Sequence, residues 1–410
     1  MKFIILLGDG MADEPLAELG GRTPLAAART PNMDYIAAVG TLGLIDTIPA
    51  GMPPGSDVAA LSVLGYDPRR CYSGRGPLEA ASMGVALAPG EVALRCNLVT
   101  LGPGPEPVLE DFTAAHISTA EARNIIATLQ EQLGTEEFHF YAGVGYRHLL
   151  VWRGEDATLV TTPPHDITGR VAAPYLPQGA GAARLRELMV RAAHLLADHP
   201  VNRARLAAGK RPANAIWPWG QGTAPALVPL TQRFGLCGGV ITAVDLLRGI
   251  GVYAGLEIIP VAGATGYTDT NYCGKAEAAL AALARLDFIF VHVEAPDEMG
   301  HAGNVQGKIK AIEDFDHLVV GTVLASRERL GDFRLLVLSD HPTPIRLKTH
   351  SAAPSPFAVL SSQPQENRAA GQPFCEAAAR RAGLFVSPGY LLMEAFLTDW
   401  RKLRATYKLH

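Results

Sequence analysis

The sequence predicts an α/β protein built on a doubly wound, mostly parallel sheet. Short aliphatic and β-branched runs, typical of buried strands, alternate with segments of helical periodicity, and most of the runs end near Gly, Asp or Pro. The predicted strands are 3–7, 41–48, 213–217, 239–242, 256–261, 287–293 and 334–338. The predicted helices are 30–39, 56–64, 183–197, 243–249, 276–284, 308–327 and 375–382. In such sheets functional side chains collect at the carboxyl ends of the strands.

Length and composition fit a globular protein of two domains. The chain has 410 residues, which is longer than a single domain with one core usually is. Of these residues 48% are hydrophobic and 19% are charged, a composition too apolar for a disordered protein. The net charge of -4 provides no basic surface for a nucleic acid. No apolar run approaches the roughly 20 residues that a membrane span requires, so neither a nucleic acid nor a membrane is an expected partner.

The cysteines favour a cytoplasmic location. There are five of them, an odd number, far apart and without a CxxC pair, which is typical of reduced thiols rather than of a disulfide framework or a thiolate zinc site. The apolar run at 3–7 is too short for the hydrophobic region of a signal peptide and is interpreted as the first strand. The oligomeric state is not indicated by the sequence.

An inserted domain is predicted at 101–181. The stretch opens with glycine and proline at 102–107 and continues with a helix at 119–133 and alternating strands at 139–141 and 148–152. We expect an α+β cap there, between the two parts of a core domain formed by 1–100 and 182–410.

Hard metal ligands follow three of the predicted strands. Asp9 comes after the first strand, Asp297 and His301 after the strand at 287–293, and Asp340 and His341 after the strand at 334–338, with His350 nine residues beyond His341. Each has an ordinary structural explanation, such as a turn or a surface histidine. Asp297 and His301 could share a helical face, but proline and glycine in that segment favour a loop.

A serine with an exposed hydroxyl is predicted in the turn at 52–57. Ser56 begins a predicted helix, where it could act as an N-cap or as a nucleophile. Carboxylates, imidazoles and one serine at the ends of parallel strands indicate a two-metal site with an alkoxide nucleophile.

The order of these residues resembles that of the alkaline phosphatase superfamily of metalloenzymes. Over nearly all of its length the chain is similar to the cofactor-independent phosphoglycerate mutases, in particular the archaeal-type branch. The stretches that carry the resemblance are Leu7-Gly8-Asp9-Gly10, Pro54-Gly55-Ser56-Asp57, Gly74-Arg75-Gly76-Pro77-Leu78-Glu79-Ala80, Arg95-Cys96-Asn97, Gly263-Ala264-Thr265-Gly266-Tyr267, 297–304 and 339–344.

The resemblance implies two divalent metal ions and a phosphoserine intermediate on Ser56. One ion would be held by Asp297, His301 and His350. The other would be held by Asp9, Ser56, Asp340 and His341. Manganese is the expected ion, with cobalt, magnesium or zinc as alternatives, and no 2,3-bisphosphoglycerate would be needed. The implied reaction interconverts 3-phosphoglycerate and 2-phosphoglycerate, while closure of the cap keeps water from the phosphoserine.

A small phosphorylated substrate is expected to bind basic side chains. Arg suits phosphate and carboxylate because its planar guanidinium group can donate two parallel hydrogen bonds to either. The candidates lie in glycine-rich turns, near strand ends or in the predicted cap, and each could equally be an exposed charge or a structural cap. They are Arg75, Arg95, Arg147, His148, His165 and Lys275.

Other functions stay open at this stage. The segment at 161–169 is typical of a bacterial subgroup whose members have been labelled proposed homoserine kinases, although the chain has no GxxxxGK[ST] nucleotide loop. A phosphomonoesterase, another phosphomutase and a binding protein that kept the fold are further alternatives. All seven predicted ligand positions are present, which disfavours the binding protein.

Overall fold

A computed structural model of the chain describes residues 1–154, 159–363 and 371–400, which fold as two compact units. The first unit combines Met1–Tyr72 with Ala226–His410, and the second is Ser73–Pro225. In chain order the strands are β1 Lys2–Gly8, β2 Thr41–Ile45, β3 Glu91–Leu101, β4 Leu109–Asp111, β5 Phe138–Val144, β6 Arg147–Arg153, β7 Ala215–Gly222, β8 Gly238–Ile241, β9 Glu257–Ile258, β10 Phe288–Val293, β11 Phe333–Leu338, β12 Ser355–Ser361 and β13 Phe385–Val386.

Helices separate most of these strands. They are α1 Pro24–Ala27, α2 Pro31–Val39, α3 Ser56–Val63, α4 Pro68–Cys71, α5 Arg75–Ser82, α6 Thr119–Leu133, α7 Ala182–Ala197, α8 Pro200–Ala207, α9 Leu230–Phe234, α10 Asp245–Tyr253, α11 Tyr272–Ala282, α12 Ala295–Ala302, α13 Val305–Asp314, α14 Gly321–Ala325, α15 Glu376–Arg381 and α16 Leu391–Leu397. Of the helices within the described ranges, none combines the length and the apolar character needed to cross a membrane.

The first unit is built on a mostly parallel sheet of order β13-β2-β12-β11-β1-β10-β8-β9. Strand β1 lies between β11 and β10 and is parallel to both. Its residues from Phe3 to Leu7 are all buried, because helices cover both faces of such a sheet and a central strand then needs apolar side chains on each. This confirms the predicted fold class. The carboxyl ends of three adjacent parallel strands therefore meet at one edge.

The second unit is an antiparallel sheet of order β4-β3-β6-β5, with β7 paired to β3. Helix α6 begins with a capping box, in which Ser118 and Glu121 each satisfy the other's backbone N–H. A separate apolar core joins the sheet to α6 and α7 and includes Trp152 and Trp217.

The second unit is wider than the predicted insertion at 101–181. The reason is strand pairing: β3, which precedes position 101 for most of its length, pairs with β6 on one side and with β7 on the other. The strand predicted at 213–217 and the helix predicted at 183–197 therefore belong to this unit and not to the main sheet. The role of the insertion as a water-excluding cap stays a prediction.

Other elements also differ from the sequence-based expectation, among them β12 and the segment at 308–327. Strand β12 is absent from the predicted strands because Pro356 interrupts its apolar run. In the structure β12 pairs antiparallel with β11 and with β2. The single helix predicted at 308–327 is instead α13 and α14 joined by a π-helical turn at Phe315–Val320. That turn brings the buried Asp316 carboxylate to the N-terminus of α2, where it accepts the Met33 N–H at 2.7 Å.

A buried lysine connects one helix to two loops at the carboxyl edge of the sheet. Lys308 of α13 is fully buried, and its Nζ donates to Asp13 Oδ2 at 2.7 Å, to Ala12 O at 3.2 Å and to Thr343 O at 2.8 Å. Asp13 in turn accepts the Ile345 N–H. The ammonium therefore connects α13 to the loops that follow β1 and β11.

We predict that Lys308→Met lowers the free energy of unfolding by about 3–5 kcal/mol, because it leaves the Asp13 charge buried without its partner. The control is Lys310→Met on the same helix, where the side chain is exposed and paired only with Asp314; it should cost less than about 0.5 kcal/mol. Urea denaturation followed by circular dichroism measures both. Equal losses in the two variants would contradict a stabilising role for the buried ammonium.

Candidate metal centre

The predicted ligands converge at the carboxyl edge of the main sheet. Asp9 directly follows β1, Asp340 and His341 follow β11 by two and three residues, and α12 begins two residues after β10. Because β11, β1 and β10 are neighbours in register, their ends bring side chains together that are about 300 residues apart in sequence.

One group consists of Asp9, Asp340 and His341, whose ligand atoms lie within 4.8 Å of one another. His341 Nε2 is 3.3 Å from Asp9 Oδ1 and 3.5 Å from Asp340 Oδ2. All three side chains are buried. This group matches the second predicted metal site.

Ser56 completes this group. Its Oγ lies 3.2 Å from His341 Nε2 and 3.5 Å from Asp9 Oδ1. The N-cap of α3 is Gly55, and Ser56 is the first helical residue and makes no capping bond. The alternative explanation of Ser56 as an N-cap is therefore wrong, and its hydroxyl is directed at the ligand group instead.

The other group consists of Asp297, His301 and His350. His301 Nε2 is 3.1 Å from Asp297 Oδ2, His350 Nε2 is 3.5 Å from Asp297 Oδ1, and the two Nε2 atoms are 3.0 Å apart. Nitrogens that face each other at this distance beside a carboxylate are arranged as ligands of one cation. His350 is thus placed at the site and not on an unrelated surface.

Asp297 and His301 lie on a helix, and the predicted loop at this position is wrong. Pro296 is tolerated because it occupies the first turn of α12, where its missing N–H would have no helical partner. Gly300 is needed because a Cβ there would lie 2.5 Å from Thr343 O. The i,i+4 spacing then places Asp297 and His301 on one face.

Each of the three carboxylates has one oxygen held by the surrounding protein. Asp340 Oδ1 accepts the backbone N–H of Gly10 at 3.1 Å and that of His341 at 2.9 Å. Asp9 Oδ2 lies 2.9 Å from His292 Nε2. Asp297 Oδ1 accepts a short hydrogen bond from Thr343 Oγ1. The other oxygens, Oδ2 of Asp340, Oδ1 of Asp9 and Oδ2 of Asp297, face the histidines of the two groups.

His292 and Glu294 belong to the site but were not among the predicted residues. Together with Asp9 they form a third group of close ligand atoms. Burial lowers the pKa of His292 well below its usual range, so its ring is neutral and can donate from Nε2 to Asp9 while Nδ1 accepts from Thr242 Oγ1 at 3.1 Å. The available signal was a histidine inside an otherwise apolar strand, in Phe288–Val293.

The electrostatics of the site favour bound cations. Burial raises the pKa of Asp9 well above its usual range, and the charges of Asp340 and Asp297 raise it further. Burial likewise raises the pKa of Glu294, together with the charge of Asp297. For Asp297, hydrogen bonds from His301 and His350 outweigh burial and hold its pKa well below the usual range.

Carboxylate oxygens and imidazole nitrogens in these two groups are a donor set that suits manganese or zinc. The described residues thus fit the implied pair of divalent ions. Such ions would supply the positive charge that so many acidic groups in a buried position require.

Lys275, predicted to bind substrate, lies in the same unit but is fully buried. Its Nζ donates to His292 O at 3.0 Å, and burial lowers the pKa of the ammonium to about 8. The charge of Lys275 lowers the pKa of Glu294, so the lysine supplies part of the counter-charge at this edge.

The other predicted substrate residues lie in the second unit, and the structure brings three of them close to Arg95. Burial lowers the pKa of Arg95, with contributions from the neighbouring charges of Arg75 and Arg147. Burial also lowers the pKa of His165, and Arg75 and Arg95 lower it further. Repelling cations held near each other are a suitable arrangement for a small anion.

Aromatic rings and a carboxylate hold this basic group. The Arg95 guanidinium lies over the Trp219 ring, 4.5 Å from its centroid, and Nε is 3.0 Å from Glu79 Oε1. The His165 ring contacts Trp219 edge to face, with centroids 5.3 Å apart. The unusual Trp-rich segment of β7 thus packs directly against two of the predicted residues.

The side chain of His148, the remaining predicted substrate residue, has different neighbours from those of Arg95 and His165. It is buried in β6, its Nδ1 accepts the Gly143 N–H at 3.0 Å, and burial lowers its pKa to about 4. Its substrate role stays a prediction, as do those of the other basic residues.

The chain is similar to proteins of one family. A model of the 2,3-bisphosphoglycerate-independent phosphoglycerate mutase family matches residues 37–202. A Geobacter sulfurreducens protein named "Probable 2,3-bisphosphoglycerate-independent phosphoglycerate mutase" is 57% identical over 97% of this chain and 100% of its own length. A Methanosarcina barkeri 2,3-bisphosphoglycerate-independent phosphoglycerate mutase is 53% identical over 94% of this chain and 96% of its own.

A solved structure extends the similarity to the fold. The cofactor-independent phosphoglycerate mutase from Thermoplasma acidophilum superposes with a TM-score of 0.67 at 25% identity, covering 97% of this chain and 99% of that one. The identities and coverage of the relatives establish that the chain belongs to the 2,3-bisphosphoglycerate-independent phosphoglycerate mutase family.

Proposed function

We propose that this protein interconverts 3-phosphoglycerate and 2-phosphoglycerate at a two-metal site, through a phosphoserine formed on Ser56. The observation that carries the proposal is the position of the Ser56 hydroxyl, at the first residue of α3 and within 3.5 Å of both Asp9 and His341. The names of the relatives, all phosphoglycerate mutases, support the substrate.

Ser56 carries the phosphoryl group between the two positions of glycerate. Its Oγ loses a proton and forms a bond to phosphorus while the bond from phosphorus to the 3-oxygen of glycerate breaks, and the freed 3-oxygen takes up a proton. The 2-hydroxyl then loses a proton and forms a bond to phosphorus while the bond from phosphorus to Oγ breaks, and Oγ takes up a proton. Because the phosphoryl group stays on the protein between the steps, no 2,3-bisphosphoglycerate is required.

The location of Ser56 favours the phosphorylated state. Ser56 is the first residue of α3, and the N-terminus of a helix stabilises negative charge. A phosphate on Oγ would therefore lie where the helix dipole favours its charge. The helix end thus acts together with the ligand groups.

Two divalent ions, with manganese expected and cobalt, magnesium or zinc as alternatives, would be held by the predicted ligands. Asp297, His301 and His350 would bind one ion, and Asp9, Ser56, Asp340 and His341 the other. When bound, the ions would lower the pKa of the serine hydroxyl and offset charge on the phosphoryl oxygens. The hydrogen bonds from Gly10, His341, His292 and Thr343 orient the carboxylates for that task.

The basic group of the second unit is proposed to bind the anionic ends of the substrate. Phosphate and carboxylate each accept bidentate hydrogen bonds from a guanidinium group. The basic group contains three guanidinium groups, those of Arg75, Arg95 and Arg147. The stacking of Arg95 on Trp219 fixes its plane before substrate arrives, which reduces the entropy lost on binding. A cytoplasmic location is proposed with this glycolytic role.

The reaction is tested by adding 3-phosphoglycerate to metal-stripped protein before and after it is reloaded with manganese. We expect 2-phosphoglycerate only from the reloaded protein, measured by phosphorus NMR after the metal is removed with a chelator. Inorganic phosphate as the main product would indicate a phosphomonoesterase. If only ATP and homoserine give a new phosphate ester, the kinase is correct, and full turnover by protein shown metal-free by elemental analysis would rule out the two-metal mechanism.

We predict that Ser56→Ala lowers kcat by more than about 10³-fold, because the nucleophile that forms the covalent intermediate is lost. Wild-type protein quenched during turnover should carry phosphate on the peptide that contains residue 56. Ser62→Ala removes a hydroxyl from the same helix and serves as the control, with a rate within about tenfold of wild type. A Ser56→Ala rate above a tenth of wild type is incompatible with the proposed nucleophile.

We predict that Arg147→Ala raises KM by at least about tenfold with a smaller change in kcat, as expected when ground-state binding to an anion is lost. The control is Arg153→Ala at the other end of β6, where the exposed guanidinium is paired with Glu91. Steady-state kinetics measure both variants. Arg147 has no part in binding if the two variants share the wild-type KM.

A further inference from the structure

Thr343 contacts one predicted ligand from each metal group. Its Oγ1 donates a short hydrogen bond to Asp297 Oδ1 and lies 3.3 Å from His341 Nδ1. Asp297 belongs to the group with His301 and His350, and His341 to the group with Asp9 and Asp340. The side chain is fully buried, so water does not compete for either contact.

The direction of these hydrogen bonds follows from the chemistry of a single hydroxyl. The Thr343 hydroxyl has one proton to donate. The Asp297 carboxylate, when ionised, has none, so it must be the acceptor in its hydrogen bond with Thr343. The hydroxyl oxygen must then accept from His341, which places the ring proton of His341 on Nδ1. That assignment leaves the lone pair of His341 on Nε2, the atom that faces Ser56 Oγ and Asp9 Oδ1.

The position of Thr343 is fixed by close packing on two sides. A Cβ at residue 300 would lie 2.5 Å from Thr343 O, and one at residue 10 would lie 2.6 Å from Thr343 Oγ1. Residue 10 also has a φ of +61°, which favours glycine. Lys308 Nζ donates to Thr343 O at 2.8 Å, and Thr343 N donates to Ala12 O at 3.2 Å. These contacts fix the backbone of Thr343, from which Oγ1 reaches both Asp297 and His341.

We propose that Thr343 is a positioning residue that couples the two metal groups, so that occupation of one group increases the affinity of the other. The proposal rests on the two-metal site proposed above and goes beyond it. His341 Nε2 would hold a cation of its group, and a bound cation would withdraw electron density from the ring and make Nδ1–H a stronger donor. Hydrogen bonds in a chain strengthen one another, so Thr343 then donates more strongly to Asp297 and holds it with Oδ2 facing His301.

The matched variants are Thr343→Val, which keeps the shape and removes the hydroxyl, and Thr343→Ser, which keeps the hydroxyl. Loss of a partner that orients a metal ligand typically weakens metal binding by about 10–100-fold. We expect Thr343→Val to weaken manganese binding by about that factor and to abolish the cooperativity between the two sites. Thr343→Ser should stay within about threefold of wild type.

Calorimetric titration of metal-free protein with manganese measures both affinities without any assay of turnover. Thermal unfolding of each metal-free variant provides the control for the fold. If Thr343→Val does not fold, Thr343→Ala is compared with Thr343→Ser, and the proposal requires the serine variant to bind manganese about tenfold or more tightly than the alanine variant.

Nitrogen NMR of labelled histidine supplies a second readout. The proposal requires His341 in wild type to carry its proton on Nδ1, and requires this preference to be lost in Thr343→Val but kept in Thr343→Ser. A purely structural role for Thr343 would not change the tautomer selectively.

The outcomes separate this inference from the proposed function. If wild type binds no divalent ion, the two-metal function itself fails. If wild type binds two ions and Thr343→Val binds them with the same affinities and cooperativity, the coupling role of Thr343 is wrong and the two-metal site stands.

Discussion

The burial of several acidic groups at one edge of the main sheet is the constraint on which the rest of this protein depends. Burial raises the pKa values of Asp9 and Glu294, and the nearby charges of Asp297 and Asp340 raise both further. Removing such charges from water costs several kcal/mol per ion unless cations and hydrogen bonds offset the loss. The surrounding architecture supplies both.

Side chains and backbone groups of the protein offset part of the negative charge of the buried carboxylates. The ammonium of Lys275 lies near Glu294, and Lys308 is paired with Asp13 just beyond Asp9 along the chain. Backbone N–H groups of Gly10 and His341 converge on one oxygen of Asp340. These contacts hold the carboxylates in place but leave one oxygen of each facing the histidines. The remaining charge is what two divalent ions would neutralise.

The same arrangement relates stability to function. Lys308, Thr343 and Asp13 join loops that carry ligands of both groups. Gly300 in α12 and Gly10 in the loop after β1 leave room for the close approach of Thr343. A residue that keeps the site in shape is therefore also one that keeps the edge of the sheet intact. In the second unit, Arg95 is held by Trp219 and Glu79 in a comparable way, which prepares a basic group for an anion.

The fold class could be predicted from sequence because a central parallel strand buried on both faces must be largely apolar. The segment 3–7 is apolar throughout, and 288–293 is apolar except for His292. Asp9, Asp297, Asp340 and His341 could be expected at one edge because they closely follow such strands. The full set of seven candidate ligands, with Ser56, His301 and His350, came from the family resemblance. The strand predicted at 213–217 was assigned to the wrong sheet, since periodicity shows that a segment is a strand but not which strand it pairs with. Strand β12 was missed because its proline is typical of an edge or a break.

Only the tertiary structure decided the partners of each ligand. Nothing local distinguishes His292 from an ordinary core histidine, or Thr343 from a turn residue, because their roles depend on contacts with Asp9 and Asp297 that are hundreds or tens of residues away. The helix at α12 also required three dimensions, since Gly300 is explained by the carbonyl of Thr343 and not by its sequence neighbours. Sequence alone determined which chemical groups are present and at which edge they collect. The Thr343 hydroxyl that contacts both groups follows from packing, because hydrogen bonds between distant loops are set by the fold as a whole.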